Sequence, residues 1–95
     1  MNMTLQTGNL VRNFELKYMG NGTPFATSSL AVNRGNDSVE FYPVIVYGNY
    51  AEKLSEIAQK GTKVQIVGSI KNSKYEVNGI KRNSAQIVIQ NLIFM

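Results

Sequence analysis

Apolar and polar residues alternate with a period of two along most of the chain, the spacing of strands that bury one face. Residues 4–16 mix the two types around Gly8-Asn9, a pair that predicts a bend within one curved strand. Asn21-Gly22 and Thr23-Pro24 supply turn chemistry before the run 25–33. There Ala26, Ser28, Leu30 and Val32 fall on one face and Thr27, Ser29, Ala31 and Asn33 on the other. Beyond the polar loop Gly35-Asn36-Asp37-Ser38, residues 39–47 are β-branched and aromatic. Pro43 in their middle predicts an edge or a bulge, because proline offers no ladder donor. Residues 62–71 alternate again, with Val64, Ile66 and Ile70 on one face and Lys63, Gln65, Val67 and Ser69 on the other. Asn78-Gly79, between 74–77 and 80–82, predicts a tight hairpin, and 84–95 reads as a last strand.

A single segment follows another period. Tyr50, Leu54, Ile57 and Ala58 recur at helical spacing, which predicts a helix over 50–60. Asn49 is placed to cap it, with Glu52 three residues on, and Gly61 to end it in the left-handed conformation. Three strands, a helix, a strand, a hairpin and a strand is the order of a small barrel whose helix plugs one end. The expected class is therefore all-β with one short helix: a five-stranded Greek-key barrel of the oligonucleotide/oligosaccharide-binding (OB) type, with an extended basic β-hairpin. A chain of 95 residues has room for one such domain, spanning 1–95, and not for two.

Composition removes most other chemistry. Without cysteine there are no disulfides or thiolate metal sites, and without histidine the commonest general base and metal ligand are missing. The six acidic residues are scattered rather than paired, and no phosphate loop ending in Gly-Lys-Ser/Thr occurs. No catalytic residue, metal ligand or cofactor is expected. Neither a basic, apolar leader at residues 1–8 nor an apolar run of about eighteen is present, so no membrane partner is expected and the cytoplasm is the expected location. The net charge of +4 is unevenly spread, with −1 over residues 1–59 and +5 over 60–95. The basic character belongs to the last third, either as a solvated face or as a site for a polyanion.

Single-stranded nucleic acid is held by cations for its phosphates and by aromatic side chains on which bases stack. Phe41 and Tyr47 share strand parity with Pro43 and Ile45, so an undisturbed strand presents all four on one side and a bulge at Pro43 would separate them. Tyr75 lies beside Lys74, near Lys71, and across the hairpin from Lys81-Arg82. Taken singly, any of these aromatics is more often a core residue or a cross-strand pair. Phe14, Phe25, Tyr50 and Phe94 are assigned to the core or an oligomer contact, and Tyr42, of opposite parity to Phe41, to the core or a subunit interface. Lys53 and Lys60 read as surface charge, whereas Lys63 stays a candidate.

Ordered blocks then become recognisable. Gly8-Asn9-Leu10-Val11-Arg12, Glu15-Leu16-Lys17-Tyr18, Asn21-Gly22-Thr23-Pro24 and Ser29-Leu30-Ala31-Val32-Asn33 resemble the opening of the bacterial single-stranded DNA-binding proteins. Glu40-Phe41 through Val46-Tyr47-Gly48, Lys60-Gly61-Thr62-Lys63-Val64 with Gly68, the stretch 71–82 and Asn91-Leu92 continue the resemblance over nearly the whole chain. It implies a homo-oligomer, a tetramer by preference with a dimer as the other option, that coats single-stranded DNA in replication, recombination and repair. By position Phe41 and Tyr75 fall where the family commonly has stacking tryptophans, and Tyr47 where it has phenylalanine. Lys71, Lys74, Lys81 and Arg82 fall in its basic hairpin, and Lys17 and Arg34 at places suited to phosphate contact; Arg12 and Lys63 complete the candidate DNA-binding residues.

Departures from the pattern matter too. Asn13-Phe14 stands where the family usually has Asp-Pro, and residues 33–38 form a short loop without an aromatic. The absence of tryptophan predicts weaker stacking and a steeper fall of affinity with salt. The sequence ends at Met95, just past the expected barrel, and so resembles either phage or mobile-element versions without the linker and acidic tip that recruit other enzymes, or a piece of a longer chain. Any contact with replication or recombination proteins is thus expected to use another surface. The competing reading is a primosomal replication adaptor of the same barrel family, a dimer acting mainly through protein partners.

Overall fold

The computed structural model describes residues 1–95, with the side chains of Ser73, Tyr75, Val77, Arg82 and Asn83 outside the described set. Its elements run β1 (Thr4–Leu10), β2 (Glu15–Tyr18), β3 (Pro24–Asn33), β4 (Val39–Tyr47), α1 (Asn49–Ile57), β5 (Lys63–Val77) and β6 (Ile80–Phe94). The sheet order is β1-β5-β6-β4-β3-β2, and a further β1–β3 pairing closes five of these strands into the expected barrel. The predicted curved strand is present as β1 and β2, separated by a bend at 11–14. β2 then flanks β3 outside the ring.

Two short seams complete the closure. One is antiparallel, Asn9↔Ala31 and Leu10↔Leu30, and the other is parallel, Val44↔Ile87 and Ile45↔Val88. The first seam explains Gly8: a Cβ there would lie 2.2 Å from the Ala31 carbonyl oxygen, so only glycine lets β1 turn from β5 onto β3. Gly68 does the same at the β5 bulge, where a Cβ would meet the Val88 oxygen at 2.1 Å.

The core confirms the alternation. Ala26, Leu30, Val44, Val46, Val64, Ile66, Ile87 and Ile89 line the barrel interior, and Ala51, Leu54 and Ala58 of the helix segment close one end. Ser28, the polar member of its face, is buried with its hydroxyl donating to the Arg12 carbonyl at 2.8 Å. Phe14 is buried as expected, while Phe94 is exposed. Tyr50 packs partly against the core, and its hydroxyl accepts from the Leu92 amide at 2.8 Å.

Some local expectations are corrected. Gly48, not Asn49, holds the N-cap, with φ 79° and ψ −159° and no side-chain cap. The chain must leave β4 through a conformation only glycine tolerates, and this fixes the cap one residue earlier. The helix stops at Ile57 rather than residue 60, because Ala58 is extended, and Gly61 (φ 88°) serves the following turn instead. Ile57 is exposed while Ala51 takes the buried place. The hairpin strands are not separate elements: β5 and β6 each run 15 residues, and Asn78 (φ 53°) with Gly79 (φ 80°) joins them. Ile70 lies on this extension and is exposed, unlike Val64 and Ile66. Asn2 holds it from the side, donating to the Ile70 oxygen at 2.7 Å and accepting from its amide at 3.0 Å.

Candidate nucleic-acid interface

The ladder between β3 and β4 runs unbroken from Phe25↔Tyr47 to Asn33↔Val39 and includes Ser29↔Pro43. Pro43 therefore makes no bulge. The pairing of β4 with β6 involves Val44 and Ile45, next to the proline, so its missing donor interrupts neither ladder. Val44 and Val46 enter the core, which leaves Phe41, Pro43, Ile45 and Tyr47 on the outer face, as the parity predicts. Phe41 is 63% exposed, an unusual investment of aromatic surface in water. Tyr47 is half-buried, and Ile45 between them is covered. The cross-strand floor consists of the small side chains Thr27, Ser29 and Ala31.

For Phe25 the core option is corrected. It is not a core residue but stands opposite Tyr47 on the outer face, ring centroids 6.4 Å apart and planes tilted by 36°. Its parity with Thr27 and Ser29 was the available signal. β2 extends this face: Lys17 pairs with Phe25 and Glu15 with Thr27. Glu15, which the sequence did not single out, lies 3.5 Å from Lys17 Nζ and 3.9 Å from an Arg12 guanidinium nitrogen.

The other candidate cations are dispersed. Lys63 lines an open groove of about 520 Å³ with Thr7, Asn9, Ala31, Asn33 and Val39 at the β1–β3 seam. Since Ala31 pairs with Phe41, this groove opens beside that ring. Lys71 pairs with Gln86, two positions from the pair Ser69↔Val88 that continues the row of Ile45. Lys74 and Lys81 are exposed further out, and by strand alternation lie on the reverse of the hairpin from Lys71, with Glu76 directly opposite Lys81. The side chains of Tyr75 and Arg82, both sequence candidates, lie outside the described residues.

Arg34 sits apart, 3.6 Å from Glu40 in the β3–β4 loop region. Tyr42, packed partly on the core, donates its hydroxyl to the same carboxylate. That hydrogen bond, reinforced by partial desolvation and the Glu40 charge, raises the Tyr42 pKa above the ordinary tyrosine value, against a smaller opposing pull from Arg34. Among the described residues no group of three or more acidic side chains could hold a metal ion, and no helix is long and apolar enough to cross a membrane.

A closed five-stranded barrel with one end helix and an outward aromatic sheet defines an OB-type protein. The chain matches the single-strand binding protein family over residues 1–95 and belongs to that family. It is 33% identical over 102 residues to the single-stranded DNA-binding protein of Clostridium tetani, covering 100% of this chain and 70% of that protein. It is 31% identical over 99 residues to the corresponding Treponema pallidum protein, covering 97% of this chain and 56% of that one. Among solved structures, the Plasmodium falciparum SSB in complex with ssDNA superposes with a TM-score of 0.88 at 22% identity, covering 100% of this chain and 95% of that one. This last similarity establishes the fold.

Proposed function

We propose that the protein binds and protects single-stranded DNA, without catalysis and largely without regard to sequence, in replication, recombination and repair. The observation that carries this reading is the outer face of β3 and β4 in a chain of this family: Phe41 and Tyr47 on one unbroken strand, over a floor of small side chains, with Lys17 and Arg12 at the rim. The two rings are six residues apart, about 20 Å along a strand, so they serve as separate stacking stations for different bases. Lys63 and Lys71 stand at the ends of this face to take phosphates. Tyr75, with Lys74, Lys81 and Arg82, joins them by its place in the sequence, and Arg34 contributes at the loop.

Association into a homo-oligomer, a tetramer by preference, is supported by the aliphatic outer face of β1–β5–β6. Leu5 pairs with Val67 there and Ile93 with Gln65, and Leu5 and Ile93 are exposed. Contacts with other replication or recombination proteins, and action in the cytoplasm, belong to the same proposal.

The test is a titration with oligo-dT followed by tyrosine fluorescence, across a salt series and against duplex DNA of equal length. Tight quenching by the single strand, falling steeply with salt and much weaker with duplex, is the expected result. Equal and weak binding of both forms would remove this function and favour the protein-bridging adaptor.

A further inference from the structure

Two of the cations best placed to meet DNA are already engaged with an anion. Glu15 stands on the edge strand β2, in line with Thr27 and Ile45, so it borders the aromatic outer face. Its two carboxylate oxygens divide between partners, one 3.5 Å from Lys17 and the other 3.9 Å from Arg12. All three side chains are about half exposed, so the cluster is open to a solvated ligand. Arg12 is further oriented by the Thr27 carbonyl, 3.5 Å from its guanidinium. The next row of the same face holds Lys17 beside Phe25 and Tyr47.

A strand whose base stacks on Tyr47 must pass phosphate charge near this group. An incoming phosphate then competes with the Glu15 carboxylate for both cations and is repelled by it. We infer that Glu15 is a built-in phosphate surrogate: it holds Arg12 and Lys17 toward the binding face while no strand is present, and lowers affinity for the strand that replaces it. The inference rests on the DNA-binding reading above. Its benefit is release. A coat protein that must be stripped by other enzymes gains from an internal anion that recaptures the cations as each phosphate leaves.

Energetics favour a modest but measurable effect. Exposed ion pairs are worth little, so displacing Glu15 costs the strand only slightly. The remaining carboxylate-phosphate repulsion, at separations under a Debye length in dilute salt, does more.

The experiment compares the parent chain with Glu15→Gln and Glu56→Gln in oligo-dT titrations from low to high salt. Glu56 is an exposed helix carboxylate and reports the effect of net charge alone. Glu15→Gln is expected to bind about three- to tenfold more tightly in dilute salt, a gap that closes as salt rises. The slope of log affinity against log salt should steepen by about 0.7, the value of one further phosphate contact on a single strand. Glu56→Gln should change affinity less than about twofold. In a double-mutant cycle, Lys17→Gln should weaken binding more in the Glu15→Gln background than in the parent. Unchanged or weaker binding by Glu15→Gln, or equal gains from both carboxylate changes, would overturn the inference. Failure of the parent to bind oligo-dT would instead remove the DNA-binding reading itself.

Discussion

The barrel carries two outer faces of different chemistry. The sheet β2–β3–β4 presents aromatic rings over small residues and brings charged side chains to its rim. The sheet β1–β5–β6 instead presents the aliphatic side chains of Leu5, Val67 and Ile93 among the polar Thr7 and Gln65. Both faces leave apolar surface in water, but of kinds suited to different partners. Flat aromatic rings can stack on any base, whereas branched aliphatic chains gain only by packing against another protein surface. The contrast teaches that an exposed apolar residue on a small barrel has to be read by its shape and its charged neighbours, because exposure alone does not separate a ligand platform from an assembly surface.

The widest perturbation strikes beneath both faces. Leu30→Ala removes a fully buried side chain at the β1–β3 seam and should cost about 2–5 kcal/mol in urea unfolding, weakening DNA binding and association together. A smaller and one-sided loss is expected from Leu5→Glu. If the aliphatic face is the assembly surface, removing its burial costs about 1.5–3 kcal/mol per protomer, and sedimentation should show dissociation with oligo-dT affinity per protomer retained. Phe41→Ala should do the reverse, weakening oligo-dT binding by about 1–3 kcal/mol while mass and urea midpoint stay as in the parent. Loss of assembly in Phe41→Ala, or of DNA binding in Leu5→Glu, would break the division between the two faces.

The mildest change sharpens it by one residue. Tyr42 adjoins Phe41 but points inward, so Tyr42→Phe should leave oligo-dT affinity unchanged. Its hydroxyl donates to Glu40, which raises its pKa above the usual 10.0. The contribution of that bond is therefore whole below pH 10 and is lost only as pH rises through Tyr42's own higher pKa. Ultraviolet titration should show a late-ionising tyrosine component that vanishes in Tyr42→Phe.

What alternation alone could carry was legible. The buried row Ala26, Ser28 and Leu30, the outward row Phe41 and Tyr47, and the Asn78-Gly79 turn all follow from local chemistry within one segment. The sequence left open whether Pro43 interrupts its strand, since that depends on where the neighbouring strand β6 begins to pair. The core option for Phe25 failed because a residue at the start of a strand, next to Pro24, has too little pattern around it to fix its face. The Glu15 pairs were illegible for another reason: sequence shows that Arg12, Glu15 and Lys17 are near one another, but only the register of β2 on β3 places them on the aromatic face. Helix capping failed at Gly48 because cap rules describe the helix, whereas the exit of β4 decided the geometry.

The long-range pairing of β1 with β5 also implies an order of events as the chain is made. β2, β3 and β4 pair with one another in sequence, so the aromatic sheet can form once Tyr47 has emerged. β1 must wait much longer. Its main partner lies in β5, where Thr4 meets Gly68, so the first strand made is among the last to find its place. Such distant pairing slows folding, because the loop has to close before its contacts repay the entropy. Until then the β1–β5–β6 face does not yet exist while the aromatic β2–β3–β4 face already can, a separation in time that would delay any contact through the aliphatic face until the barrel has closed.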